Sequence, residues 1–186
     1  MSDTKASIKK KKRGLGIYQQ NILTKRVRVP YNIVGSNIAE NIQTKLTEAF
    51  SGKCIKEGYV KINSIRIVSY SAGVISDKYV IFIVIFECLI CRPVEGMRFR
   101  AIVKNITKAG ARCETKEEVS PVVVFIARDH HFKNKDFSNL KVGDEIIVRV
   151  IGIRFELNDT YISVIAELVT PRKITKRPKI IIKKNA

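Results

Sequence analysis

RPVEGMRFRAIVKNITKAGARCE, residues Arg92–Glu114, is the stretch that divides this sequence. Pro93 and Gly96 interrupt the apolar run before them, Met97–Ile106 alternates as a strand does, and Lys108-Ala109-Gly110 turns the chain back. Met97, Phe99, Ala101 and Val103 fall on one side of that strand and Arg98, Arg100 and Lys104 on the other, which predicts an apolar interior under a basic outer stripe. The spacing therefore predicts a domain junction followed by the first hairpin of a small barrel. One module lies before it and another after it.

Working backward, Tyr79–Cys91 is an apolar run broken by Glu87, too short for the roughly 20 residues that cross a bilayer. Val80–Phe86 is nearly continuous aliphatic and aromatic, as expected of a strand covered on both faces. Lys53–Lys56 and Tyr59–Tyr70 supply further strands, the latter joined to Tyr79–Arg92 through Ser71-Ala72-Gly73 and the turn Ser76-Asp77-Lys78. Ile38, Ile42, Leu46, Ala49 and Phe50 recur at helical spacing, with Asn37 and Glu40 arranged as a capping pair and Gly52 as the stop. Ile22–Val29 alternates, with Leu23, Lys25, Val27 and Val29 on the inner side, and ends at Pro30, which suits an edge strand.

Working forward, Ala109–Glu114, Val122–Ala127, Glu145–Phe155 and Tyr161–Val169 follow as strands, with His130–Asn139 polar and irregular and turns at Lys141–Asp144 and Asn158-Asp159. Five short strands with a polar insertion between the third and fourth have the layout of an OB-fold, a barrel that binds oligonucleotides. The fold class expected is α+β: an N-terminal helix-on-antiparallel-sheet (RNP-like) module over residues 17–92, then a C-terminal five-stranded OB-fold β-barrel over 93–170. Residues 1–16 are expected to be a disordered basic tail, and 171–186 a second basic tail.

The formal net charge of the 186 residues is +18. Residues 1–13 hold six Lys/Arg against Asp3, and 171–186 hold seven against none, so the tails carry twelve of those eighteen charges. Such asymmetry points to a polyanion, because each cation placed on a phosphate releases condensed counterions. An acidic protein surface is the second candidate. Lys9–Arg13 also fits a nuclear import signal, an RNA-clamping arm or plain solubility charge. The four cysteines are dispersed and the first residues lack a secretory apolar segment, which implies a reducing, intracellular location.

The motif G-x-x-x-x-A-x-V-x-x-I-x-x-x-G-A from Gly96 to Ala111, then Phe125-Ile126, Val142–Val148 and Ile151-Gly152-Ile153, resembles the OB-type RNA-binding domain named after a small-subunit ribosomal protein. Gly35–Ile38, Gln43–Leu46, Gly52-Lys53-Cys54, Gly58-Tyr59-Val60, Ala72–Ile75 and Arg92–Gly96 fall in the order of the landmarks of the stalk subunit of multisubunit RNA polymerases, the family of the seventh subunit of eukaryotic polymerase II and its archaeal counterpart. The resemblance covers about residues 17–170 and implies a non-catalytic accessory subunit. The region of Gly52, Lys53, Gly58, Tyr59 and Val60 would dock on the large polymerase subunits. A helical stalk partner subunit belongs to the family pattern, and nascent single-stranded RNA would pass the barrel. The location implied is the nucleus, or a cytoplasmic viral factory or virion if the enzyme is viral.

In the barrel family two aromatics beside the first turn, a strand-three His and an acid–base pair at the last hairpin form the single-strand platform. At those positions this sequence has Ala109, Arg112, Phe125, Arg154 and, near the last, Tyr161. Stacking is thus expected to give way to phosphate contact through Lys104, Lys108, Arg112, Arg128, Lys133, Arg149 and Arg154, with Phe125 or Tyr161 as the stacking group. The competing expectation is that these charges form a solvated barrel face and Phe125 belongs to the core. No metal or cofactor is expected: adjacent His130 and His131 do not place both rings on one ion, and Cys88 and Cys91, three apart on a strand, point to opposite faces as a buried reduced pair. No Gly-rich phosphate loop or convergent catalytic set stands out, so no enzyme activity is expected. The alternative function is a stand-alone RNA-binding factor of translation or RNA degradation.

Overall fold

A computed structural model describes residues 16–35, 37–131 and 135–169. The basic tails, apart from Gly16, and Lys133 lie outside the described residues. The chain is α+β, an antiparallel sheet carrying one long helix followed by a closed five-stranded barrel.

The first module contains β1 (Tyr18–Pro30), a 3-10 turn (Tyr31–Ile33), α1 (Ile38–Phe50), β2 (Cys54–Ile55), β3 (Gly58–Val60), β4 (Arg66–Tyr70), β5 (Val74–Ser76) and β6 (Tyr79–Cys91). β6 is the spine. Along one edge β1 pairs with it over its whole length, from Tyr18 opposite Cys91 to Pro30 opposite Tyr79. Along the other edge β5, β4 and β3 follow in turn. Val27 and Val29 of β1, with Phe82, Val84 and Phe86 of β6, meet Ile42 and Leu46 of α1 in one buried cluster. Phe50 adds a ring stacked on Phe86 at 6.2 Å.

Several expectations change here. Tyr59–Tyr70 is two strands, because Asn63 takes a left-handed conformation (φ 57°) and turns the chain between them. Val74–Ser76 forms an additional short strand on β6. α1 starts after Asn37, but that residue sits at φ −108°, ψ 44° and makes no side-chain capping bond, since its backbone lacks the extended form from which a cap reaches the first amides. Ala49 is exposed. β6 alternates between buried and accessible positions, because α1 covers only one face of the sheet.

The second module comprises β7 (Arg98–Ile106), β8 (Gly110–Glu114), β9 (Val122–Ala127), a short α2 (Lys135–Ser138), β10 (Glu145–Arg154) and β11 (Ile162–Leu168). The order β10-β11-β9-β8-β7 closes through β10 against β7, with β9 and β11 parallel. Phe99, Ala101 and Val103 point inward, as their alternation predicts, beside Val124, Ile126, Val148 and Val164. The polar segment between β9 and β10 contributes a buried Phe137 from α2, which its composition did not suggest.

His131 joins that segment to the barrel. Its Nε2 accepts the Leu168 backbone N–H at 2.9 Å, which leaves Nδ1 to donate to the Ala127 carbonyl at 3.0 Å. The ring stacks on Phe137 at 5.3 Å. Both ring nitrogens are therefore committed to backbone. His131→Ala leaves a buried donor and a buried acceptor unpaired at roughly 1–3 kcal/mol each. A loss of about 3 kcal/mol in urea unfolding is expected. A loss below about 1 kcal/mol contradicts this role.

The two modules share a seam. Ile17, Cys54, Tyr59 and Cys91 pack in the same cluster as the barrel interior. The Cys54 N–H donates to the Asp159 carbonyl at 2.8 Å, and the Asn158 N–H donates to the Cys54 carbonyl at 2.9 Å, so β2 is stapled to the β10–β11 turn. Lys61 lies 3.8 Å from the Glu117 carboxylate and 4.7 Å from the centre of the Tyr18 ring. Burial, and then the Glu117 charge, push the Tyr18 phenol up.

All four cysteines are free and buried. Cys88 belongs to the sheet–helix core and Cys91 to the seam. Burial, their largest cause, raises Cys54 and Cys88 from the ordinary 9.0 to about 11, and Cys91 and Cys113 to about 12. Between these values the folded chain holds protons that the unfolded chain has released, so stability is full below pH 9 and falls as pH rises toward 12. The urea midpoint, in reductant, is expected to hold below pH 9 and to drop as pH rises from 9.0 toward about 12, with Cys113→Ala losing part of the drop. A flat response contradicts it.

Candidate nucleic-acid interface

The barrel register sets the outward side chains of neighbouring strands in rows. One row runs Asn105, Arg112, Phe125, Ile165, Gly152 across β7, β8, β9, β11 and β10. The next runs Ile102, Glu114, Val123, Ser163, Arg154. Arg112, Phe125 and Arg154, far apart in sequence, thus share one face of the barrel. It is the face of the second and third barrel strands, where this architecture takes oligonucleotides.

Phe125 is 39% exposed and lies outside the barrel core. Gly110 makes room for it: a Cβ there would collide with the Ile126 carbonyl and come within 3.0 Å of the Phe125 Cζ. At the same end, the Arg128 N–H donates to the Ala109 carbonyl at 3.0 Å and its guanidinium to the Thr107 carbonyl at 3.2 Å. This holds Arg128 against the β7–β8 turn, which exposes Lys108 at its tip. Tyr161 is exposed just before β11. Lys104 is exposed on β7 beside an irregularity in the β7–β8 register. Arg149 lies off the two rows, paired in register with Arg98 and Glu167.

The charges are less free than the sequence suggests. Arg112 meets Glu114 at 3.2 Å, Arg154 meets Glu156 at 3.4 Å, Arg100 meets Glu145 at 3.4 Å, and Arg149 is paired with Glu167. Exposed pairs of this kind contribute only about 0–1 kcal/mol, so a phosphate can displace the carboxylate at little cost. Lys104 and Lys108 have no ion pair among the described residues. The pairing glutamates and Ile165, the register partner of Phe125, were not among the expected site residues. The signal that could have found Ile165 is the alternation in Tyr161–Val169, which places it outward.

The expected docking residues fare differently. Gly52 and Lys53 are half-buried, but Gly58, Tyr59 and Val60 are buried, with Tyr59 inserted into the seam. Tyr59 holds the two modules of this chain together, Val60 is buried in the sheet–helix core, and neither offers a side chain to another protein. Hydrophobic residues in a short strand beside a domain junction are used first for that junction. No helix among the described residues is long and apolar enough to cross a membrane.

No family model matches the chain. Among curated proteins it is 29% identical over 174 residues to L376, ascribed to the DNA-directed RNA polymerase of Acanthamoeba polyphaga mimivirus, covering 82% of each chain. It is 24% identical over 157 residues to DNA-directed RNA polymerase II subunit RPB7 of Glycine max, covering 75% of this chain and 86% of that one. It is 26% identical over 152 residues to DNA-directed RNA polymerase II subunit 7 of Arabidopsis thaliana, covering 73% and 84%. Among solved structures, MJ1198 of Methanocaldococcus jannaschii aligns with a TM-score of 0.34 at 26% identity, over 42% of this chain and 95% of that one. GSP13 of Bacillus subtilis aligns with a TM-score of 0.35 at 19% identity, over 48% and 68%.

A helix-on-sheet module stapled to an OB-type barrel with an arginine-bearing outer face defines the class: a two-module α+β protein with a candidate nucleic-acid-binding barrel. The sequence similarities, each over roughly three quarters or more of this chain, are to subunits ascribed to DNA-directed RNA polymerases, two of them named as the seventh subunit of polymerase II.

Proposed function

We propose that this protein is the non-catalytic stalk subunit of a DNA-directed RNA polymerase, fixed to the large subunits by its N-terminal module (17–92) and guiding nascent RNA along its barrel (93–170). The observation that carries this reading is the length of the similarity: 82% of the chain aligns with a polymerase subunit, more than either module alone supplies. Docking falls to the accessible part of the β2–β3 region, Gly52 and Lys53, with Tyr59 and Val60 as its buried support. A helical partner subunit completes the stalk. The protein works where its polymerase works, in a nucleus or in the factory or virion of a large virus.

On the barrel, Lys104, Lys108, Arg112, Arg128 and Arg154 meet phosphates, and Phe125 or Tyr161 accepts a base. Such binding tolerates sequence and weakens with salt, because its drive is counterion release and a π-face that every base offers. Transcribing complexes carrying photoreactive nucleotides in the emerging RNA test this directly. Crosslinks are expected on β8, β9 and the β10–β11 turn. Crosslinks confined to other subunits contradict RNA contact by this chain.

A further inference from the structure

We infer that the outer face of the N-terminal sheet, opposite α1, is a docking surface for an amphipathic segment of another protein, aliphatic on one side with carboxylates at its margin. From Tyr79 to Phe86 the odd positions of β6 are as apolar as the even ones, yet only the even ones are buried. Ile81, Ile83 and Ile85 run down the middle of the open face, paired in register with Arg28, Arg26 and Thr24 of β1, while Val74 of β5 stands opposite Ile81. Ile83 is 47% and Val74 66% exposed. A groove of about 710 Å³ lies between Arg26, Arg28, Ser71, Val74, Ile81 and Ile83. A strand apolar on both faces is the pattern of a strand covered on both, and a contiguous exposed aliphatic patch marks an interaction surface.

Charge selects the occupant. Arg26, Arg28 and Arg66 border the patch, and none has an ion pair among the described residues. The acid on this face, Glu87, accepts the Gln20 amide at 2.9 Å. The chain's own tails suit the site badly, since residues 171–186 carry seven basic side chains and no acid, and 1–13 carry six against one. A second copy packed face to face would bring the same arginines together. Single-stranded RNA needs aromatic platforms, and the centre of this face is isoleucine. A protein segment with an aliphatic stripe and flanking Asp or Glu satisfies both the apolar centre and the cationic border, whether or not the chain serves a polymerase.

The test places a photoreactive phenylalanine analogue at Ile83 in the full chain, expressed in its native cells, and identifies the crosslinked species by mass spectrometry. The expected product is a peptide from a different protein, rich in Leu, Ile or Val and in Asp or Glu. Its yield is expected to fall at least tenfold with Arg26→Glu and Arg28→Glu, exposed changes that leave the core untouched. A crosslink to RNA, to a second copy or to this chain's tails overturns the inference, as does no crosslink, or one insensitive to the arginines. The presence of large polymerase subunits in the same purified material is scored separately, so failure of the stalk assignment and failure of the docking surface are told apart.

Discussion

Gly58→Val is expected to lower stability by about 4 kcal/mol, a large part of the roughly 5–15 kcal/mol a domain has. Gly58 sits at φ 131°, in the half of conformational space that a β-branched residue avoids. A Cβ there would stand 2.5 Å from the Cys91 carbonyl and 2.9 Å from the Ile90 Cγ2. The carbonyl is backbone at the end of β6 and has nowhere to retreat. Gly58 also precedes Tyr59, whose ring fills the seam, so relief of the clash must tilt β3 and draw Tyr59 out of the barrel-side cluster. By heat, the shift is about 2–4 °C per kcal/mol for a chain of this size, hence on the order of 10 °C. Gly152→Ala, with nothing within 4 Å of its Cβ, is the control and is expected to be nearly neutral. Equal midpoints for the Gly58 variant and wild type contradict the packing described for the seam.

Arg112→Glu with Arg154→Glu is expected to weaken single-stranded RNA binding by roughly tenfold to a hundredfold at low salt, and to flatten the log–log salt dependence by about 1.4, or 0.7 for each lost phosphate contact. Both side chains are exposed, so folding and assembly should survive. The ion pairs sharpen the expectation. Neutralising Glu114 and Glu156 to glutamine removes the carboxylates that occupy these arginines, and should raise affinity a few-fold, about the worth of an exposed pair. Phe125→Ala separates stacking from charge: if a base lies on the ring, roughly 1–3 kcal/mol of affinity is lost with little change in salt slope. Unchanged affinity for the double arginine variant across a salt series rules out this face as the RNA path.

Much of the fold was legible because alternation reports directly on burial. Leu23, Val27 and Val29 against Ile22 and Arg28, or Phe99 and Val103 against Arg98 and Arg100, assign strand faces without further help. Ile42 and Leu46 did the same for α1. What misled was apolar surplus. Val80–Phe86 read as a strand covered twice because sequence records that a face is apolar, not what covers it. Tyr59 and Val60 read as docking residues by resemblance, whereas the module junction consumes Tyr59 and the sheet–helix core consumes Val60. The candidate site was legible in its cations but not in their partners, since Arg112–Glu114 and Arg154–Glu156 are two apart in sequence and meet only through local side-chain geometry. Arg149–Glu167 depends on strand register. His131 gave no sign of its role, because its partners, Ala127 and Leu168, offer only backbone.

The assignment as a polymerase stalk component is tested most directly by isolating the full chain through an affinity tag from its native cells and measuring which polypeptides accompany it in fixed proportion. The two large subunits of a DNA-directed RNA polymerase are expected, near one copy each per tagged chain and stable to salt washing. Recovery with ribosomes or an RNA-degrading assembly in that proportion, without the large subunits, would contradict it.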